Sequence, residues 1–352
     1  MTKLQDEIIA SHPEFPWLEA GNVAQLQEFL ASRSWLREGE HLVSCDTAGE
    51  VDLNLVLRLR TGQRTMILKQ ARPWIEKYPH LAAPWDRGLS EQHFYERVAS
   101  IPEVASAMPR LMATDAAARV IMMEDLSEAG DYTDLYTGVQ IRQDELHALA
   151  KYLRALHNGT RTKQKPEFAT RELRELNYEQ QFVEPLEADN LVDLEIHELW
   201  LKEEAAQLRD DVAFCAAVQN VGGRFMEDGP CLVHGDFFPG SWLRTGTGLK
   251  VIDPECCFYG DVEYDVGVCL AHFRIAEQDF DFAKAFLSAY AGTALDSSLD
   301  MDWVARYAAV EVLRRIIGLA QLPIPPTQGL RAQLLRHARK ALMGRSVEDL
   351  WL

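Results

Sequence analysis

Residues 231–267 read CLVHGDFFPGSWLRTGTGLKVIDPECCFYGDVEYDVG. Leu232-Val233-His234-Gly235-Asp236 is a short apolar run ending in a turn that carries a carboxylate. Lys250-Val251-Ile252-Asp253-Pro254-Glu255 is a second apolar run, ending in two carboxylates around a proline. The turn Thr245-Gly246-Thr247-Gly248 lies between them, so the two runs are expected as a hairpin or as adjacent short strands. Asp236 and Asp253 would then sit side by side at a strand end, facing one cleft. Phosphoryl transfer needs such a pair. One carboxylate orients the attacking hydroxyl and takes its proton, and the other holds Mg2+ on the nucleotide phosphates.

The ordered set His-Gly-Asp, a small polar residue five positions later, then Ile-Asp-Pro-Glu, resembles the aminoglycoside phosphotransferase and choline kinase relatives of the protein kinases. Ser241 stands where most of them have Asn, and Asp253 is followed by Pro254-Glu255. Both features are similar to the 5-methylthioribose kinases, as are Phe258-Tyr259-Gly260 and Tyr264-Asp265-Val266-Gly267. Phe237-Phe238-Pro239 departs from the usual Leu-His-Thr or Leu-His-Pro. The resemblance implies Asp236 as catalytic base, with Asp253, Glu255 and Ser241 at the metal.

The chain has 352 residues, 47% of them hydrophobic, which is enough for a sizeable core in one large or two medium domains. A net charge of −18 argues against a nucleic-acid partner and against an anionic membrane surface. The N-terminus turns polar at once, and no apolar run approaches the length of a membrane span. Cys45, Cys215, Cys231, Cys256, Cys257 and Cys269 form no Cys-x-x-Cys pair, so a reducing cytoplasm is expected. Cys256-Cys257, beside Glu255, reads as small residues packed under the metal loop.

Upstream, residues 1–40 are helical and irregular, with a helical pattern over Val23–Leu30. Leu53–Leu59 and Thr65–Lys69 read as a strand pair around Thr61-Gly62-Gln63. Taken alone, Lys69 is a charge at a strand end. The resemblance puts it on the nucleotide phosphates and makes Asn54 part of the nucleotide site. The preceding loop, Asp46–Asp52, should cover the phosphates, yet Gly49 is its sole glycine, and Val51 and Asp52 replace Gly and Asn of the relatives. Arg87–Ala99 is expected as a helix, with Glu91 as the partner of Lys69 and Glu96 as runner-up. Pro109–Thr114 and Val120–Met123 read as strands, and the backbone of Glu124 and Leu126 is implied as the adenine-holding hinge.

From about residue 128 the chain reads as helical. Asp144–His157, Leu191–Val218, Phe280–Tyr290, Asp302–Leu322 and a tail over Leu330–Leu352 are the expected helices. His157 reads as a packing residue. Arg314 and Arg315 lie among apolar neighbours, so at least one must face a cleft or solvent. The resemblance implies sugar recognition. Successive helix positions are about 100° apart, so one arginine is expected in the cleft and the other bracing a loop or the acidic turn near Asp261.

The expected fold is α+β, bilobal and protein-kinase-like: a small antiparallel sheet lobe over residues 1–125 and a larger helical lobe over 126–352. The expected activity is ATP- and Mg2+-dependent phosphorylation of a small hydroxylated acceptor, foremost 5-methylthioribose or a similar pentose. An aminoglycoside, choline-like or fructosamine acceptor is the alternative within this class. A non-catalytic nucleotide-binding module, motivated by the glycine-poor loop, is the alternative outside it. A homodimer is left open.

Overall fold

A computed structural model describes the chain except residues 1, 50–52, 128, 163–164, 169–170, 189, 191, 197–199, 293–298, 326 and 328. Val51 and Asp52 therefore lie outside the described residues, as do Leu191 and Leu199 of an expected helix.

Strands β1 (Leu42–Thr47), β2 (Leu55–Thr61), β3 (Thr65–Gln70), β4 (Leu111–Asp115) and β5 (Val120–Glu124) form an antiparallel sheet ordered β1-β2-β3-β5-β4. Strand alternation sends Leu57, Leu59, Met66, Leu68, Val120 and Met122 to one face, where they pack on Leu26, Phe29 and Leu30 of the Val23–Ser32 helix. Lys69 points to the other face, between Val56 and Ile121 of the neighbouring strands. The Arg87–Val98 helix covers that second face. Its Phe94, Tyr95 and Val98 join the larger core of the helical lobe. The sheet is thus sandwiched between two cores, and the lobes meet on the Lys69 side.

The turn Thr245–Gly248 forms as expected and leads into the run at Lys250-Val251, but the strand before it is not the expected one. The turn links β8 (Trp242–Thr245) to β9 (Gly248–Val251), and the two-residue edge strand β6 (Gly130–Asp131) pairs with β8. The run before His234 is β7 (Cys231–Val233), which pairs with β10 (Phe258–Gly260). All six residues of that pair are buried, so they carry no alternation from which a partner could be read. Asp236 and Asp253 still come together through other bonds. Ser241 donates its hydroxyl to the Asp236 carbonyl at 2.9 Å, and its own carbonyl accepts from Ile252 N–H at 2.9 Å.

Three helical expectations change. The helix carrying the arginines spans Met301–Ile317 and stops there, because Gly318 is extended and the Glu184 carboxylate takes the Leu319 N–H at 3.0 Å. Leu201–Asp210 and Val212–Phe225 are separate helices, since Asp211 leaves the helical conformation and caps the second through Phe214 N–H at 3.0 Å. The tail helix ends at Gly344. Sequence reading missed Val262–Ile275 because almost every residue on it is buried, so it lacks an amphipathic stripe. No helix among the described residues is long and apolar enough to cross a membrane.

Gly235 sits at φ +87°, and a Cβ there would meet the Cys256 carbonyl oxygen at 2.1 Å. Gly235→Ala should therefore lower the unfolding free energy in urea by about 3 kcal/mol or more. Gly246→Ala, in open space on the hairpin turn, should stay within about 0.5 kcal/mol of wild type.

Candidate active site

Lys69 is 6% exposed, which alone would drive its ammonium towards the neutral form. Carboxylates outweigh that. Its Nζ lies 2.7 Å from Asp253 Oδ1, 2.7 Å from Glu91 Oε2 and 3.8 Å from Glu255 Oε2, holding it charged well above the ordinary lysine range. Lys69 alone cannot balance three acids, and Arg87 adds a cation only at Glu255, at 3.7 Å. The fully buried Glu91 carries the excess: burial first, then Asp253 and Glu255, push its carboxyl up to about 7 against the pull of Lys69.

Asp253 precedes Pro254 and has left-handed backbone angles, φ +60° and ψ 52°. For a non-glycine residue this costs about 1 kcal/mol or more, and such strain gathers at working sites. The turn leaves the Asp253 side chain 48% exposed beside Lys69. Glu255 follows on the same short turn. Its Oε2 accepts from Asn54 Nδ2 at 2.6 Å, and Asn54 Oδ1 accepts from Arg87 Nε at 3.0 Å. Arg87 was expected on the Glu91 helix but not as a site residue. It is 1% exposed and donates to the carbonyls of Leu53, Arg72 and Pro84 at 2.8–2.9 Å, fixing the segment that carries Asn54. Its signal was its place four residues before Glu91, on the same helix face.

The loop bearing Asp236 is held from beneath by Asp265. The two Asp265 oxygens accept the backbone N–H groups of His234 at 2.7 Å and Gly235 at 3.1 Å. His157 Nε2 donates to the same carboxylate at 3.0 Å, and its Nδ1 lies 2.8 Å from the Tyr290 hydroxyl. The His234 Nε2 lies 3.0 Å from the Ile252 carbonyl, which can only accept, so the proton is on Nε2. Burial holds His234 below the usual histidine range and hence neutral.

Asp236 itself is open to the cleft, its side chain 28% exposed. Both arginines converge on it: Arg315 Nη2 lies 3.2 Å and Arg314 Nη1 3.5 Å from Asp236 Oδ1. The expected divergence does not occur. The long side chains overcome the different directions of their helix positions, and both also reach Glu311. The carboxylate near which one was expected, Asp261, is held by Arg224 at 2.6 and 2.8 Å and by the Tyr307 hydroxyl at 3.2 Å. Glu311 was missed too, although it precedes Arg315 by one helical turn.

Ser241 is 2% exposed, and its hydroxyl serves the Asp236 carbonyl. Glu124 ends β5, its N–H and its side chain both spent on the backbone of Arg110, and Leu126 is half-buried just beyond it. Burial keeps the Cys256 and Cys257 thiols protonated, unlike metal-ligating thiolates.

A two-lobed fold with a lysine–glutamate pair above and a carboxylate loop below is the framework of a kinase-type phosphotransferase. Residues 52–307 match the profile of the phosphotransferase enzyme family (APH), well over half of the chain, and the protein belongs to that family. It is a small-molecule kinase of that family. A methylthioribose kinase of Exiguobacterium sibiricum is 25% identical over 360 residues, covering 88% of this chain and 90% of the relative. One of Erwinia tasmaniensis is 27% identical over 364 residues, covering 87% and 88%. Among solved structures, a microcompartment-associated aminopropanol kinase superposes with a TM-score of 0.56 at 14% identity, covering 92% of this chain and 99% of that one. At that identity the likeness concerns the fold.

Arg87→Ala would remove the donor to Asn54 and to the carbonyls of Leu53, Arg72, Trp74 and Pro84, with Glu255 losing its nearest guanidinium. Unfolding in urea should show a loss of about 3–5 kcal/mol. Arg87→Lys should recover only part of it, because an ammonium cannot span these acceptors.

Proposed function

We propose that the protein transfers the γ-phosphate of ATP to a hydroxyl of methylthioribose or a closely similar 5-substituted pentose. The observation that carries this reading is the convergence of Arg314 and Arg315 on Asp236. A cationic acceptor, such as an aminoglycoside, a choline-like amine or a fructosamine, would meet two guanidinium groups at the reacting carboxylate. Sugar hydroxyls instead match guanidinium donors and a carboxylate acceptor. The methylthioribose kinases among the relatives support the same acceptor class.

In this mechanism the acceptor hydroxyl donates its hydrogen bond to Asp236, which orients it and takes its proton. The hydroxyl oxygen bonds to the γ-phosphorus as the bond from that phosphorus to the β,γ-bridging oxygen breaks, and ADP leaves. Lys69, kept charged by the acids around it, holds the phosphates, and Glu91 holds Lys69. Asn54 and the backbone of Glu124 and Leu126 would contact the nucleotide. Asp253 and Glu255 supply hard oxygens on one turn and fit a magnesium ion, which commonly takes one or two carboxylates plus phosphate and water. When bound, magnesium supplies charge neutralisation on the phosphates. Ser241 acts at one remove, by fixing the Asp236 backbone. Catalysis is mostly positioning and charge neutralisation.

ADP release measured over a panel of methylthioribose, ribose, choline, a fructosamine and an aminoglycoside tests the acceptor. Methylthioribose should give the highest kcat/KM, and preference for an amine would overturn the reading. Asp236→Asn should lower turnover by roughly two orders of magnitude or more, with nucleotide affinity kept. Asp253→Ala should abolish the magnesium-dependent part of ATP binding in calorimetry, with the fold retained. Unchanged Mg-ATP affinity would remove Asp253 from the metal site.

A further inference from the structure

The mechanism above makes no use of the buried acid behind the arginines. Glu311 is 1% exposed. Its Oε1 accepts from Arg315 Nε at 2.6 Å and from His272 Nε2 at 3.0 Å, and its Oε2 lies 3.4 Å from Arg314 Nη1. His272 Nδ1 in turn lies 2.6 Å from the Tyr136 hydroxyl, so two buried side chains hold the acid from behind. Burial would favour the protonated acid, but Arg315 and Arg314 prevail and hold Glu311 well below the usual carboxylate range. Burial also holds His272 below the usual histidine range, so it contributes no charge.

Four charges therefore meet at the acceptor end of the cleft: Asp236 and Glu311 negative, Arg314 and Arg315 positive. They cancel. Without Glu311, the same contacts would leave one positive charge over at the position where hydroxyls are to be bound. We propose that Glu311 sets the charge selectivity of the acceptor site. It cancels the arginine charge that Asp236 leaves over, so that an uncharged sugar is favoured over sugar acids and sugar phosphates. This rests on the reading that Asp236 and the arginine pair face the acceptor. Glu311 is a positioning residue, since it acts through the arginines and touches no reacting atom.

Glu311→Gln keeps the size and an oxygen acceptor while removing the charge. The measurement is competition against methylthioribose, with inhibition constants for ribose (neutral), ribonate (anionic) and a 2-amino-2-deoxypentose (cationic). Wild type should bind ribose at least as well as either ion. In E311Q, ribonate should gain about tenfold or more relative to ribose, the order expected for one uncancelled charge at close range. A merely structural loss would weaken all three alike. Arg314→Gln makes the opposite change and should place the amine above ribose and ribonate below it by a similar factor, whereas equal binding of all three would mean that Glu311 cancels no charge, which decides the matter if E311Q does not fold. If wild type binds pentose while the variants keep its ratios, this inference falls alone. If wild type binds no neutral pentose, the acceptor reading falls and takes this inference with it.

Discussion

The contact of Asp236 with two guanidinium groups is the constraint around which the cleft is arranged. Two largely buried arginines packed against one acid would leave one positive charge uncompensated. The protein resolves this with a second acid, Glu311, on the same helix face and bonded to both arginines. The arrangement then needs a rigid support on each side. Asp265 supplies one by fixing the two N–H groups just before Asp236. The His272–Tyr136 pair supplies the other behind Glu311.

The nucleotide side follows the same logic with the opposite imbalance. There three acids outnumber two cations: Lys69 faces Glu91, Asp253 and Glu255, and Arg87 reaches Glu255 alone. Such an excess of carboxylate is unstable alone and suited to a bound cation and a polyphosphate together. Asn54 and Arg87 relieve part of it at Glu255, and through that chain the β2 end of the sheet is tied to the Asp253–Glu255 turn. The cleft is thus neutral at one end and acid-rich at the other. Those are the requirements of the proposed uncharged acceptor and of the proposed metal–nucleotide, respectively.

Much of this was legible in the sequence because the signals are local. His-Gly-Asp, Ile-Asp-Pro-Glu, the lysine strand and the Arg-Arg pair each occupy a few consecutive residues. Glu91 and Arg87 share a helix at readable spacing, yet the role of Arg87 was not legible, since a buried arginine bound to backbone leaves no pattern of its own. The partners of β7 and β10 were not legible, because three-residue strands buried on both faces have no period. Nor was the support behind Glu311. Tyr136, His272 and Glu311 are distant along the chain, and only the packing of their elements brings them together. The common destination of the two arginines was missed because helix directions fix where a side chain starts, while a long side chain decides where it ends.

A structure with magnesium, a non-hydrolysable ATP analogue and methylthioribose tests the central claim most directly. The account predicts one sugar hydroxyl within hydrogen-bond reach of the Asp236 carboxylate, in line with the terminal phosphorus, with both guanidinium groups on neighbouring hydroxyls. A sugar bound away from Asp236, or arginines turned from it towards solvent, would contradict it.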